Sequence, residues 1–248
     1  MIRCLAAAVL VALAGCNPVA YVPSAVPDAP RAAGVRLAGH VNPLAAQGGA
    51  EIAVAPRPGL AVAARALVSD SGVLGGADGD GGADGDELSS GAHALRGLSL
   101  GAVAAWPLSP RASLELGASA GRDRVTTTSG SFDIGCCSRT YRRVEVTTTR
   151  TDAHLGLWLA AGDDAATEAG PAVRLTHVRS WTRDPADAAT ALFVEPVVRV
   201  RRQLGPLGLS AQFGASLPVE LGGFRDRFSG VPIVGGASVS YDLASVLR

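Results

Sequence analysis

The 248-residue chain carries 22 basic and 22 acidic side chains, a formal charge of zero, and every basic one is an arginine. The arginines are spread along the chain, so no basic block is available to nucleic acid. Hydrophobic residues make up 48% and aromatics only 4%, with 31 glycines and 15 prolines; beyond the N-terminal stretch no run reaches the roughly 18 apolar residues of a membrane helix, so any deeper entry into a membrane must use strands.

In chain order, the first element is an export signal. Arg3 supplies a short positive start, and Cys4 to Ala14 an apolar core of about eleven residues, too short to span a bilayer. Leu13, Ala14, Gly15 and Cys16 resemble the bacterial lipobox, which implies cleavage after Gly15 and acylation of Cys16. Residues 1–15 are thus expected to be a lipoprotein signal peptide. Asn17, where an Asp would favour inner-membrane retention, implies sorting to the outer membrane. The following NPVAYVPSAVPDAP has four prolines and no periodicity, so residues 16–31 are expected to form a lipidated, extended tether, with the folded domain spanning 32–248.

Alternation of period two then begins. Val35, Leu37, Gly39 and Val41 alternate with Arg36, Ala38 and His40, the repeat of a strand with one apolar side. Ala50, Ile52 and Val54 flank Glu51, and Leu60, Val62, Ala64, Ala66 and Val68 oppose a face holding Arg65. Leu98, Leu100, Ala102, Ala104 and Trp106 oppose small residues. Leu114, Leu116, Ala118 and Ala120 oppose Ser113, Glu115, Gly117 and Ser119, while Leu155, Leu157 and Leu159 oppose His154, Gly156 and Trp158. Val173 and Leu175 oppose Arg174 and Thr176; Leu192, Val194, Val198 and Val200 oppose Glu195, Arg199 and Arg201. A segment from Leu207 to Leu217 and one from Ala237 to Leu243 complete ten strands.

Alternating strands suit either a soluble sheet, apolar inside, or a membrane barrel, apolar outside. Here the polar faces hold mainly Gly, Ser and Ala with a few Arg and Glu, which fits the lumen of a narrow closed barrel better than a solvated face. The connections agree with a barrel whose periplasmic turns are short: Pro56 to Gly59, Pro107 to Arg111, Ala161 to Gly170 and Gln203 to Pro206. The outer loops are then Pro43 to Gly48, Ser69 to Ala92, Thr127 to Arg143, Arg183 to Thr190 and Glu220 to Gly230. The expected fold is an all-β, closed, antiparallel up-and-down transmembrane barrel of about ten strands.

Two outer loops have unusual composition. The stretch from Asp70 repeats GADGD, with the aspartate-glycine spacing of calcium loops but without the EF-hand order or the nonapeptide array, so it is expected to be a solvated acidic loop. In RDRVTTTSGSFDIGCCSRTYRRVEVTTTRTD, aligning Val125–Thr128 with Val146–Thr149 places Cys136 and Cys137 at an exposed hairpin tip, where they can bond to each other, stay free or pair with another chain. No further ligands accompany them, so neither a metal site nor a cofactor is expected.

On these patterns the chain resembles small bacterial outer-membrane β-barrel proteins, here lipid-anchored. GASVSYDL, from Gly236, is similar to the C-terminal signal read by the barrel assembly machinery, although the chain continues through ASVLR without a terminal aromatic. The resemblance implies outer-membrane lipid and that machinery as partners, with the external ligand left open, and Trp106, Trp158, Trp181, Tyr141 and Tyr241 as the Trp and Tyr available for interface girdles. Arg65, Glu115, Arg174, Glu195, Arg199 and Arg201 are expected to pair inside and close the lumen. The leading expectation is a non-enzymatic barrel displaying loops outside the cell. A narrow pore, a soluble periplasmic ligand-binding β-domain, and a small-barrel hydrolase using His154 near Asp152, or His177 near Thr176 and Ser180, are the alternatives.

Overall fold

The computed structural model describes residues 33–42, 47–70, 92–133, 138–162, 166–181, 185–222 and 233–243. Cys16, the acidic GADGD repeat, Cys136 and Cys137 all lie outside the described residues. The strands are β1 (Gly34–Asn42), β2 (Gln47–Arg57), β3 (Leu60–Asp70), β4 (Ala92–Ser109), β5 (Ala112–Asp133), β6 (Ser138–Ala160), β7 (Thr167–Trp181), β8 (Ala189–Leu204), β9 (Leu207–Ala215), β10 (Leu217–Gly222) and β11 (Ile233–Asp242), with one 3-10 turn at Pro185–Asp187. Each strand from β1 to β8 pairs antiparallel with the next; β11 pairs with both β9 and β1, so the sheet closes on itself. Around the ring, closure gives every stave a partner on both sides.

Eleven strands make ten staves. Val197 pairs with Gly214 and Val194 with Leu217 in one unbroken register, so β9 and β10 are a single stave running along β8. The ladder is interrupted where Pro196 has no N–H to donate. A true irregularity follows between Pro218 and Glu220, where the register shifts by one residue.

Side chains alternate between two environments on every stave. Leu37, Ile52, Val62, Leu100, Leu116, Leu155, Val198, Phe213 and Val239 all stand exposed on the outside, Leu98 at 69%. Such a continuous apolar belt, on both sides of the closing seam, is the exterior of a transmembrane barrel. The leucine and valine sides do not pack against one another in two layers. Trp158, expected as an interface girdle residue, is instead wholly buried inside; it shares the inward phase of His154 and Gly156, opposite to Leu157 and Leu159.

The two ends of the barrel differ. At the turn end, β2–β3, β4–β5 and β8–β9 are joined by two residues each, 58–59, 110–111 and 205–206, and β6–β7 by 161–166. Gly59 and Gly205 adopt φ of +74° and +60°, the left-handed region that a tight turn requires and glycine enters without strain. The described chain also starts and stops at this end. At the loop end the connections are 43–46, 71–91, 134–137, 182–188 and 223–232.

The β5–β6 hairpin differs in register from expectation. Val125 pairs with Val146 and Thr128 with Arg143, three residues from the anticipated alignment. Directly opposed residues lie on the same side of a sheet. Leu116 pairs with Leu155, both outward, and in that phase the buried Val125 cannot face the outward Thr149. At 22 and 23 residues, these strands are twice the roughly 9–11 needed to cross a bilayer, so the hairpin continues far past the apolar belt.

Candidate functional site

The interior carries the charge that the exterior lacks. Arg65 from β3 donates to Glu51 from β2, Nη2 to Oε2, at 2.6 Å. The two residues are register partners, so alternation alone places them side by side. Arg36 from β1 lies 3.2 Å from the other Glu51 oxygen, and His40 Nε2 lies 3.5 Å from Glu51 Oε2. Three side chains from the two staves flanking β2 therefore converge on one carboxylate.

A second cluster forms between β7 and β8. Arg174 Nε donates to Glu195 at 2.5 Å, and Thr176 donates its hydroxyl to the same oxygen at 2.8 Å. Arg174 and Glu195 are again register partners, as are Glu168 and Arg201, whose ion pair stands lower on the same two staves.

The third cluster crosses the barrel. Glu115 on β5 accepts from Arg199 on β8 at 2.5 Å and from the Trp158 indole on β6 at 3.1 Å, while His154 Nε2 lies 3.4 Å away. The guanidinium carbons of Arg199 and Arg201 lie 4.3 and 4.2 Å from the Trp158 ring centroid, within cation–π range. β5 and β8 are not neighbours, so this contact spans the lumen rather than following the sheet.

Small residues opposite large ones make these clusters possible. A Cβ on Gly117 would fall on the His154 ring, and one on Gly156 would fall on the Arg199 guanidinium. The glycines on the polar faces are thus the spaces into which long charged side chains from the other staves fit.

All six lumen candidates therefore face inward, and each has an acid or a base of opposite charge beside it. Sequence reasoning did not name Arg36, His40, Glu51, Asp123, Arg150, Asp152 or Glu168 among the lumen charges, nor Trp158 as their partner. The available signal was phase: Arg150 and Asp152 are two and one alternations from His154, on the same face, but TTTRTD carries no apolar stripe to mark that phase. Asp152 accepts from Ser119 at 2.7 Å and lies 3.7 Å from Arg150. Arg150 in turn lies 3.8 Å from Asp123.

The candidate base and nucleophile pairs fare differently. His177 faces outward, while Thr176 and Ser180 are buried inward, so the alternation separates them. Ser180 instead shares a 2.7 Å hydrogen bond with Thr148. His154 and Asp152 share the inner face, but His154 turns to Glu115 and Asp152 to Ser119.

Among the described residues, cavities of about 50, 20 and 10 Å³ lie between the clusters. The largest lies at the turn end, beside Arg36, Trp158 and Arg201; the second lies beside Ser119 and Asp152; the smallest lies beside Asn42 and Gln47. Glu51 lines the first two, Arg65 the second and third, and His40 the first and third. The Glu51 cluster is the wall between them. Among the described residues no group of three or more His, Cys, Asp or Glu side chains is arranged to hold a metal.

No protein-family model matches the chain, and no curated protein is significantly similar to it. Among solved structures it is similar to the β domain of the Bordetella autotransporter BrkA, at 12% identity and a TM-score of 0.44, covering 84% of this chain and 98% of that one. It is also similar to the outer membrane protease OmpT from Escherichia coli, at 10% identity and a TM-score of 0.38, covering 84% and 93%. The fold assignment rests on the strand pairings themselves: a closed, ten-stave, antiparallel up-and-down barrel with an apolar exterior and an ion-paired interior.

Proposed function

We propose that this chain is a non-enzymatic outer-membrane lipoprotein, anchored through Cys16, whose plugged barrel holds extracellular loops above the bilayer. The observation that carries the reading is the inversion of the two faces. Leucine and valine cover the outside, and buried ion pairs cross the inside, as a lipid-embedded cylinder with no aqueous channel requires. In this orientation the turn end faces the periplasm, where a chain tethered by Cys16 begins, and the β5–β6 hairpin rises outside the cell.

The test is topological. In intact cells, external protease should cut the loop near Asp78 and the hairpin near Cys136, and should spare the 161–166 turn. Cys16→Ser should abolish incorporation of labelled fatty acid. Release of the Cys16→Ser protein into buffer as a folded, soluble species would instead establish the periplasmic β-domain.

A further inference from the structure

Above the apolar belt, at the loop end, one quadrant of the outer surface is basic. On β4 the outward sequence runs Leu100, Leu98, Arg96; on β5 it runs Ala118, Ala120, Arg122, Arg124; on β7 it runs Val173, Leu175, His177, Arg179, Trp181. All four arginines are exposed. The other staves show no described arginine at this level on their outer faces.

The arrangement is costly as it stands. Arg96 and Arg124 are direct register partners, and like charges directly opposed across strands destabilise a sheet. Arg122 and Arg179 each lie 5.9 Å from the Trp181 ring centroid, so the indole brackets the two guanidiniums and orders them. Among the described residues one acid stands nearby, Glu145, 3.0 Å from Arg124, and Arg179 also donates to the Pro185 carbonyl at 2.6 Å. The lumen acids are on the far side of the sheet. Among the described residues no further acid is placed to compensate Arg96, Arg122 and Arg179, which leaves their guanidiniums open to an anion from outside the protein.

We propose that this quadrant binds the phosphate-bearing headgroup of an anionic lipid in the outer leaflet. The inference rests on the membrane reading above. Its chemistry is that of the surface: planar guanidiniums grip phosphate oxygens in bidentate fashion, and the adjoining Leu98, Leu100 and Leu175 meet the acyl chains of the same molecule. Trp181 stands at the depth where an indole favours the headgroup boundary.

The full-length protein, folded in detergent, would be incubated with phosphatidic acid and examined by native mass spectrometry, with heat-modified mobility of each sample recording the folded barrel. Wild type should retain the lipid. R96A/R122A/R179A should lose about fivefold in apparent affinity for each arginine removed, whereas R57A/R111A/R202A, which removes exposed arginines from the turn end, should retain it. Equal retention by the two triple variants would overturn the site, as would displacement of the lipid by an equal concentration of inorganic phosphate, which would assign a free anion instead. Absence of the mobility shift in the wild type would overturn the membrane reading itself.

Discussion

Glu115 illustrates how much a single lumen side chain holds. It receives Arg199 from across the barrel and the Trp158 indole from the adjacent stave, and it is wholly buried. Removing one member of a buried ion pair strands the other charge, at about 3–5 kcal/mol. Glu115→Ala is accordingly expected to lower the temperature of the heat-induced mobility change sharply, more than Glu145→Ala, whose ion pair is exposed. Unchanged heat modification in Glu115→Ala would show that the cross-lumen contact adds nothing. Gly156→Leu should be comparably damaging, because its side chain would occupy the space of the Arg199 guanidinium. Restoring stability by combining Gly156→Leu with Arg199→Ala would identify that collision as the cause.

At the scale of strands and turns, alternation made most of the barrel readable. Ten apolar stripes and four compact turns can be placed without coordinates, because period two is a property of the backbone and tight turns need particular residues. Register was less accessible. Between β5 and β6, threonine-rich stretches offer little to distinguish one alignment from another, and only the phase of Leu116 against Leu155 settles it. The ion pairs inherit that difficulty: Glu51 with Arg65 follows from register, but Glu115 with Arg199 requires the cylinder to close. Cysteines at 125 and 146, in a chain lacking Cys136 and Cys137, should cross-link readily under mild oxidation. Preferential cross-linking of 125 to 149 would restore the alternative alignment.

For the whole molecule, the partition of the lumen makes a prediction about conduction. Glu51 with Arg36, His40 and Arg65 stands between the cavities described above. The wild type should therefore pass no measurable ionic current in planar bilayers. Glu51→Ala opens the wall and leaves two guanidiniums there, so the current it admits should favour anions. A steady conductance in the wild type would replace the plugged barrel with the narrow pore.

The cross-lumen contact also constrains the order of construction. Glu115 and Arg199 lie 84 residues apart on staves that are not neighbours, so they meet only once the sheet has curled across the lumen. A half-built curl of strands released into hydrocarbon would hold bare carboxylates and guanidiniums against acyl chains, at several kcal/mol for each. Insertion one hairpin at a time is thereby disfavoured: the growing sheet must be sheltered until its last seam meets its first, and only then let go into lipid.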